Sequence, residues 1–134
     1  MHRMLFFSLL SLPATLVAGT TVYTDSAHPP VNLLPEVQVV LLDGPQQFQD
    51  SFFGPLPADP DAAEAVVREH IQSPEWQSVQ TNLAERYRQV TRAWSLGLKK
   101  YPAVVFDDRD VVYGTTDVAL AERLRSQGSQ GGHP

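Results

Sequence analysis

Apolar and polar positions alternate with two different periods along this chain, and the switch between them marks out its elements. Thr20 to Thr24 is a short β-branched and aromatic run closed by the polar, proline-rich stretch Asp25 to Pro30, which predicts a first strand. Val37 to Leu42 is almost continuously apolar, the pattern of a strand covered on both faces, and predicts a second strand lying centrally in a sheet. About a dozen residues separate the two, the minimum for a parallel crossover, and Pro29, Pro30 and Pro35 leave little room for a helix between them. Asp43 to Pro57, rich in Gly, Pro and Gln, reads as a loop whose Phe48, Phe52 and Phe53 either cap the core or meet a partner.

The period then lengthens. Asp59-Pro60-Asp61 supplies an N-cap, a proline at the first helical position and a negative charge at the positive end of the dipole, which predicts a helix to about Gln72. Ser73-Pro74-Glu75 repeats the start signal. Beyond it Trp76, Val79, Leu83, Tyr87, Val90 and Trp94 recur at steps of three and four, a single apolar stripe expected to pack on the sheet. Gly97 is placed to end that helix in a left-handed cap. Tyr101 to Phe106 predicts a third strand, and the acidic turn Asp107 to Asp110 leads into a fourth, Val111 to Tyr113, in an antiparallel hairpin. Thr115 or Thr116 then caps a last helix, Asp117 to Arg125, with Val118, Leu120, Ala121 and Leu124 inward. The pattern is that of an α/β domain with a mixed four-stranded sheet and flanking helices.

Composition adds boundaries. Of 134 residues 43% are hydrophobic, enough for one core and one domain. His2 and Arg3 precede an apolar run from Met4 to Val17 that ends in Val17-Ala18-Gly19, the order of a cleavable secretory signal. A retained membrane anchor is the competing reading, but the run is shorter than the ~20 apolar residues of a spanning helix and Pro13 interrupts it. Residues 1–19 are therefore expected to be a signal peptide, 20–126 the folded domain, and 127–134 a disordered Gly/Gln/Ser tail. Loss of Arg3 with the leader takes the formal net charge from −5 to −6, which argues against nucleic acid as a partner. No cysteine is present, so an exported domain must be held by packing alone.

Candidate chemistry is sparse. Asp25, Ser26 and His28 include the three side-chain types of a hydrolase triad, but residues this close on one tight loop rarely converge with the required geometry. Asp107, Asp108 and Asp110 lack the length and terminal glutamate of a calcium loop and read as a solvated turn. His70 has no partner at metal-ligand spacing and reads as a helix-surface or boundary residue. Arg86, Arg88, Arg92, Lys99 and Lys100 gather positive charge late in the long helix and just past it, which suits the negative end of its dipole and leaves a docking patch open.

A proline directly ahead of a buried strand lacks the N–H a ladder needs and belongs at a strand's first residue or in a special turn. The stretch from Gly97 through Tyr101-Pro102-Ala103-Val104-Val105-Phe106, followed by Val111-Val112-Tyr113-Gly114, resembles the thioredoxin segment that leads to a cis-proline and its hairpin. Tyr101 to Val105 with Val112-Tyr113-Gly114-Thr115-Thr116-Asp117-Val118 also looks like the TrbC pilin-assembly proteins of F-type conjugation systems. More broadly the chain is similar to a family of exported proteins encoded in integrating conjugative elements. That likeness runs through Val22-Tyr23-Thr24, Val37-Gln38-Val39-Val40, Leu56-Pro57-Ala58-Asp59-Pro60 and the terminal hairpin and helix. The resemblance implies a thioredoxin-like fold. Ser26-Ala27-His28-Pro29 stands where a Cys-x-x-Cys would, and the helix after it is reduced. Thiol–disulfide exchange is excluded, because its attacking group is a thiolate.

What the resemblance implies about function is a periplasmic, non-enzymatic assembly component of a conjugative type IV secretion system. It would need no cofactor or metal and would have other transfer proteins as partners, and it would hold no membrane span after signal cleavage. The expected contact residues are His28, Pro29, Tyr101 and Pro102, through which an extended peptide could pair with the cis-proline turn. A small periplasmic hydrolase using His28, or a chaperone for pilus subunits, are the alternatives.

Overall fold

The computed structural model describes residues 19–130, with side chains through Gly128. Apart from Gly19, the expected signal peptide lies outside the described residues, as do residues 131–134. Four strands and four helices follow in the order β1 (Thr20–Thr24), β2 (Gln38–Leu41), α1 (Gly44–Phe53), α2 (Pro60–Ile71), α3 (Trp76–Ser95), β3 (Ala103–Phe106), β4 (Asp110–Tyr113) and α4 (Val118–Gln130). The sheet order is β2-β1-β3-β4, with β1 and β2 parallel and both other pairings antiparallel. This is a mixed α/β sheet of thioredoxin-like arrangement.

Alternation along the strands divides the core in two. Val22, Val104 and Phe106 face α4, where Val118 and Ala121 meet them and Val37, Val39 and Val112 pack alongside. Tyr23, Val40 and Val105 face the end of α3, where Ala93 meets them with Leu96, Leu98 and Val111 at the margin. Val22, Val104 and Val105 are at most 1% exposed, so each gains roughly 1.5–3 kcal/mol over an exposed position.

Several expectations are corrected. β2 is an edge strand, because β1 takes its inner side and β3 takes the other side of β1. Its apolar run reflects cover on both faces, since Val39 packs with one cluster and Val40 belongs to the other, and facial cover says nothing about lateral position. As Pro29, Pro30 and Pro35 imply, no helix lies between β1 and β2 among the described residues. The expected loop at Asp43–Pro57 instead contains α1, which begins with Gly44-Pro45 and ends at Gly54 with φ +67°. Its phenylalanines are partly buried: Phe52 and Phe53 pack with His70 and Trp76 at centroid distances of 5.2–6.1 Å, and Phe48 lies under the Arg86 guanidinium. These contacts join α1 to α2 and to the first half of α3, so that half packs on helices and not on the sheet.

The stripe on α3 also drifts. Inward positions run Trp76, Val79, Leu83, Arg86, Val90 and Ala93, while Tyr87 is 50% and Trp94 75% exposed. The apolar stripe averages 3.6 residues per step and the inward set 3.4, so the two part after Leu83, and Ala93 is the residue that reaches Tyr23, Val40 and Val105. Leu124, expected inward, is likewise 42% exposed. α3 ends as predicted: Gly97 has φ +72°, its N–H donates to the Trp94 carbonyl at 2.9 Å, and Leu98 N–H donates to the Ala93 carbonyl at 3.3 Å.

Capping follows the expected residue at α2, where Asp59 accepts from Ala62 N–H at 3.1 Å. It differs elsewhere. Ser73 turns its hydroxyl back to the His70 carbonyl and Glu75 occupies the cap of α3. Asp117, not Thr115 or Thr116, caps α4 by accepting from Leu120 N–H at 3.2 Å. α4 continues to Gln130, past the expected end at Arg125, so the first residues of the expected tail are helical. No helix among the described residues is long and apolar enough to cross a membrane.

Candidate functional site

Strand register sets the end of β1 beside the proline turn. Tyr23 pairs with Ala103, so Thr24 stands level with Pro102 where the chain leaves β1 for the loop that carries His28 and Pro29. The Tyr101–Pro102 peptide is cis. Gly114, in the left-handed region at φ +94°, donates its N–H to the Pro102 carbonyl at 2.8 Å, and Lys99 N–H donates to the Tyr113 hydroxyl at 3.3 Å. One expected peptide acceptor, the Pro102 carbonyl, is therefore already engaged. The main-chain N–H and carbonyl of Tyr101 make no hydrogen bond among the described residues, and its ring is 52% exposed.

The loop opposite is fixed by polar contacts on both sides. Thr24, fully buried, donates its hydroxyl to the His28 carbonyl at 2.7 Å. His28 N–H donates to the Asp25 carboxylate at 3.0 Å, and the imidazole Nδ1 lies 2.7 Å from the same oxygen. The imidazole is otherwise in solvent, with 57% of its side chain exposed. Ser26 points elsewhere. Its N–H lies 3.2 Å from both oxygens of Asp43, its hydroxyl donates to Asp43, and Gln47 Nε2 donates to that hydroxyl at 2.6 Å.

Asp25 and His28 thus form a dyad that Ser26 does not join. A serine nucleophile needs a base that accepts its proton, and the group in that place is Asp43. The Ser26 hydroxyl above all holds the Asp43 carboxyl below its ordinary value, which makes it a weak base. The sequence-expected residues His28, Pro29, Tyr101 and Pro102 are gathered at one end of the β1–β3 ladder, on two segments that no hydrogen bond joins among the described residues. Asp43 and Gln47 were missed by pattern reading. The signal available was Asp43-Gly44-Pro45, a helix start that composition disguised as a loop.

Beyond His28 the crossover segment lies against the start of α4. Val31 N–H donates to the Thr116 hydroxyl at 3.1 Å, and Asn32, at φ +50°, donates Nδ2–H to Asp117 at 2.9 Å. The Asn32 amide, then Leu120 N–H, hold the Asp117 carboxyl below its usual range. These bonds do for the crossover what a helix does elsewhere, fixing it across one face of the sheet.

The expected basic patch is largely spent within the molecule. Arg92 reaches Asp108 on the hairpin tip at 2.8 Å, Arg88 pairs with Glu85, and Arg86 lies on Phe48. Asp110 faces Arg125 at 3.5 Å, so two of the three turn carboxylates serve arginines, and no group among the described residues is arranged to hold a metal ion. A cleft of about 610 Å³ opens at the opposite end of β1, walled by Phe106, Leu34 and Arg125, and none of the expected site residues lines it.

No curated protein and no solved structure matches the chain. Residues 17–128 match a family whose description reads protein of unknown function (DUF1525). That span takes in all of the sheet, the loop with His28 and the proline turn, and the chain belongs to this family.

Proposed function

We propose that the protein works by contact, without chemistry of its own, as a periplasmic assembly component of the conjugative type IV secretion apparatus of an integrating conjugative element. The observation that carries this reading is the turn at Tyr101 and Pro102, with unengaged main-chain groups on Tyr101, beside a loop whose would-be dithiol positions hold Ser26 and Pro29. With no thiolate anywhere in the sequence, disulfide exchange has no attacking group. What such an arrangement retains is the capacity to hold an extended segment through strand-like main-chain bonds. The conjugative setting rests on the likeness of Tyr101 to Val105, Val112 to Val118 and Leu56 to Pro60 to exported and pilin-assembly proteins. The apolar leader Met4 to Val17 supports export.

The test is transfer frequency of the element after replacement of the chromosomal gene. Deletion and Tyr101→Ala with Pro102→Ala should each lower transfer by about tenfold or more, the scale of one lost contact of modest strength. His28→Ala should transfer at nearly the parental frequency, and the mature protein should fractionate with the periplasm. Normal transfer by the deletion strain sinks the assembly role, and loss of transfer with His28→Ala alone favours an enzyme.

A further inference from the structure

Trp94 carries an unexplained exposure. It is 75% exposed, the most exposed large apolar side chain among the described residues, and Tyr101 and Leu98 lie with it around a cleft of about 250 Å³ floored by Leu42 and Val90. That volume is below the roughly 300–1,000 Å³ typical of sites for small molecules, and suits a single inserted side chain. The rim of the cleft is basic. Lys99 and Lys100 are the only lysines in the sequence, and neither ammonium group has a carboxylate partner among the described residues, whereas Arg68, Arg88, Arg92 and Arg125 each have one. Lys100 instead lies 5.6 Å from the Tyr113 ring centroid. No acidic residue lines the cleft, in a chain whose formal net charge is −5.

We propose that this cleft, between the end of α3 and the proline turn, docks an acidic segment of a partner protein, with one apolar side chain seated between Trp94 and Leu98 and carboxylates on Lys99 and Lys100. It rests on the reading of the protein as a contact factor only for its biological setting; the cleft, its apolar floor and its cationic rim stand without it. Aromatic side chains with lysines also suit a lipid interface. A concave site and a negative overall charge favour a peptide over an anionic bilayer, which would repel most of the surface. The unengaged Tyr101 main chain at the rim adds hydrogen-bonding groups to the same docking line.

The experiment titrates the mature protein with a short peptide carrying one leucine among aspartates and glutamates, following tryptophan emission. A peptide with lysines in place of the acids and phosphatidylglycerol vesicles serve as parallel probes. The acidic peptide should shift the emission to the blue, the shift should vanish in Trp94→Phe, and Lys99→Gln with Lys100→Gln should weaken binding by about tenfold, the product of two exposed charge contacts. Unchanged far-ultraviolet circular dichroism establishes that the variants are folded. The inference is overturned by equal binding of the acidic and basic peptides, by a shift that survives in Trp94→Phe, by no shift at millimolar peptide, or by vesicles binding more tightly than the peptide. Failed peptide binding together with reduced transfer in the Tyr101 and Pro102 variant would remove the cleft and leave the assembly role intact.

Discussion

Ser26 places its N–H 3.2 Å from each carboxylate oxygen of Asp43, seventeen residues further along the chain. Through this one contact the loop after β1 is bound to the first residue ahead of α1, and Gln47 closes the arrangement by donating to the Ser26 hydroxyl. The short loop carries Asp25, Ser26 and His28, a spacing too tight to read as a triad from sequence. In three dimensions its serine is a structural fastener.

Asp43→Ala should therefore loosen the loop more than it unfolds the domain. Hydrogen bonds to a charged acceptor are worth ~1.5–3 kcal/mol when sheltered, and solvent around this site brings the expected loss to about 1 kcal/mol. Amide exchange at Ser26 and His28 should accelerate while amides of β3 keep their protection. Uniform acceleration across the sheet would show that Asp43 acts globally.

Acid should weaken the fold through Asp43 and Asp117. Both carboxyls are held below their ordinary value in the folded state, by the Ser26 hydroxyl and by the Asn32 amide respectively. The unfolded chain then takes up protons first, so this stability is complete above about pH 4 and is lost as pH falls through the lower folded values. Tyr23 sets the other limb. Burial first, then the charge of Asp108, raises its phenol, so its contribution persists below pH ~10 and is lost as pH rises through the higher folded value. Urea midpoints across pH should show a plateau between these limbs, and Asp43→Asn should flatten the acid side.

Gly97→Ala should cost about 1–2 kcal/mol. No atom lies within 4 Å of an added Cβ, so the penalty is that of an L-residue forced to φ +72° and not of a clash. Thermal unfolding should fall by several degrees while Gly128→Ala, in a helix with no such φ, leaves it level or raises it. An unchanged melting temperature for Gly97→Ala would mean that the helix end can re-form another way.

Ala93→Leu should destabilise by roughly 1–3 kcal/mol, because Ala93 is 2% exposed and fills the gap between α3 and the strand residues Tyr23, Val40 and Val105. Trp94→Ala, one residue on, should change stability little, since that side chain faces solvent. Chemical denaturation of the two variants separates them, and equal losses would contradict the assigned faces of α3.

Pattern in the sequence determined the four strands, the hairpin, the Asp59 and Gly97 helix ends and the α/β class, because each depends on local period, turn chemistry or a single residue's backbone preference. Only the tertiary structure decided that β2 lies at the edge, that Ala93 and not Trp94 enters the core, and that Ser26 belongs to Asp43. Those outcomes depend on which surfaces meet across long chain separations. A run such as Val37 to Leu42 states how much of a strand must be covered, and a stripe such as Trp76 to Trp94 states that a helix has an apolar side. Neither states which neighbour provides the cover, and that choice is made by contacts between distant parts of the chain.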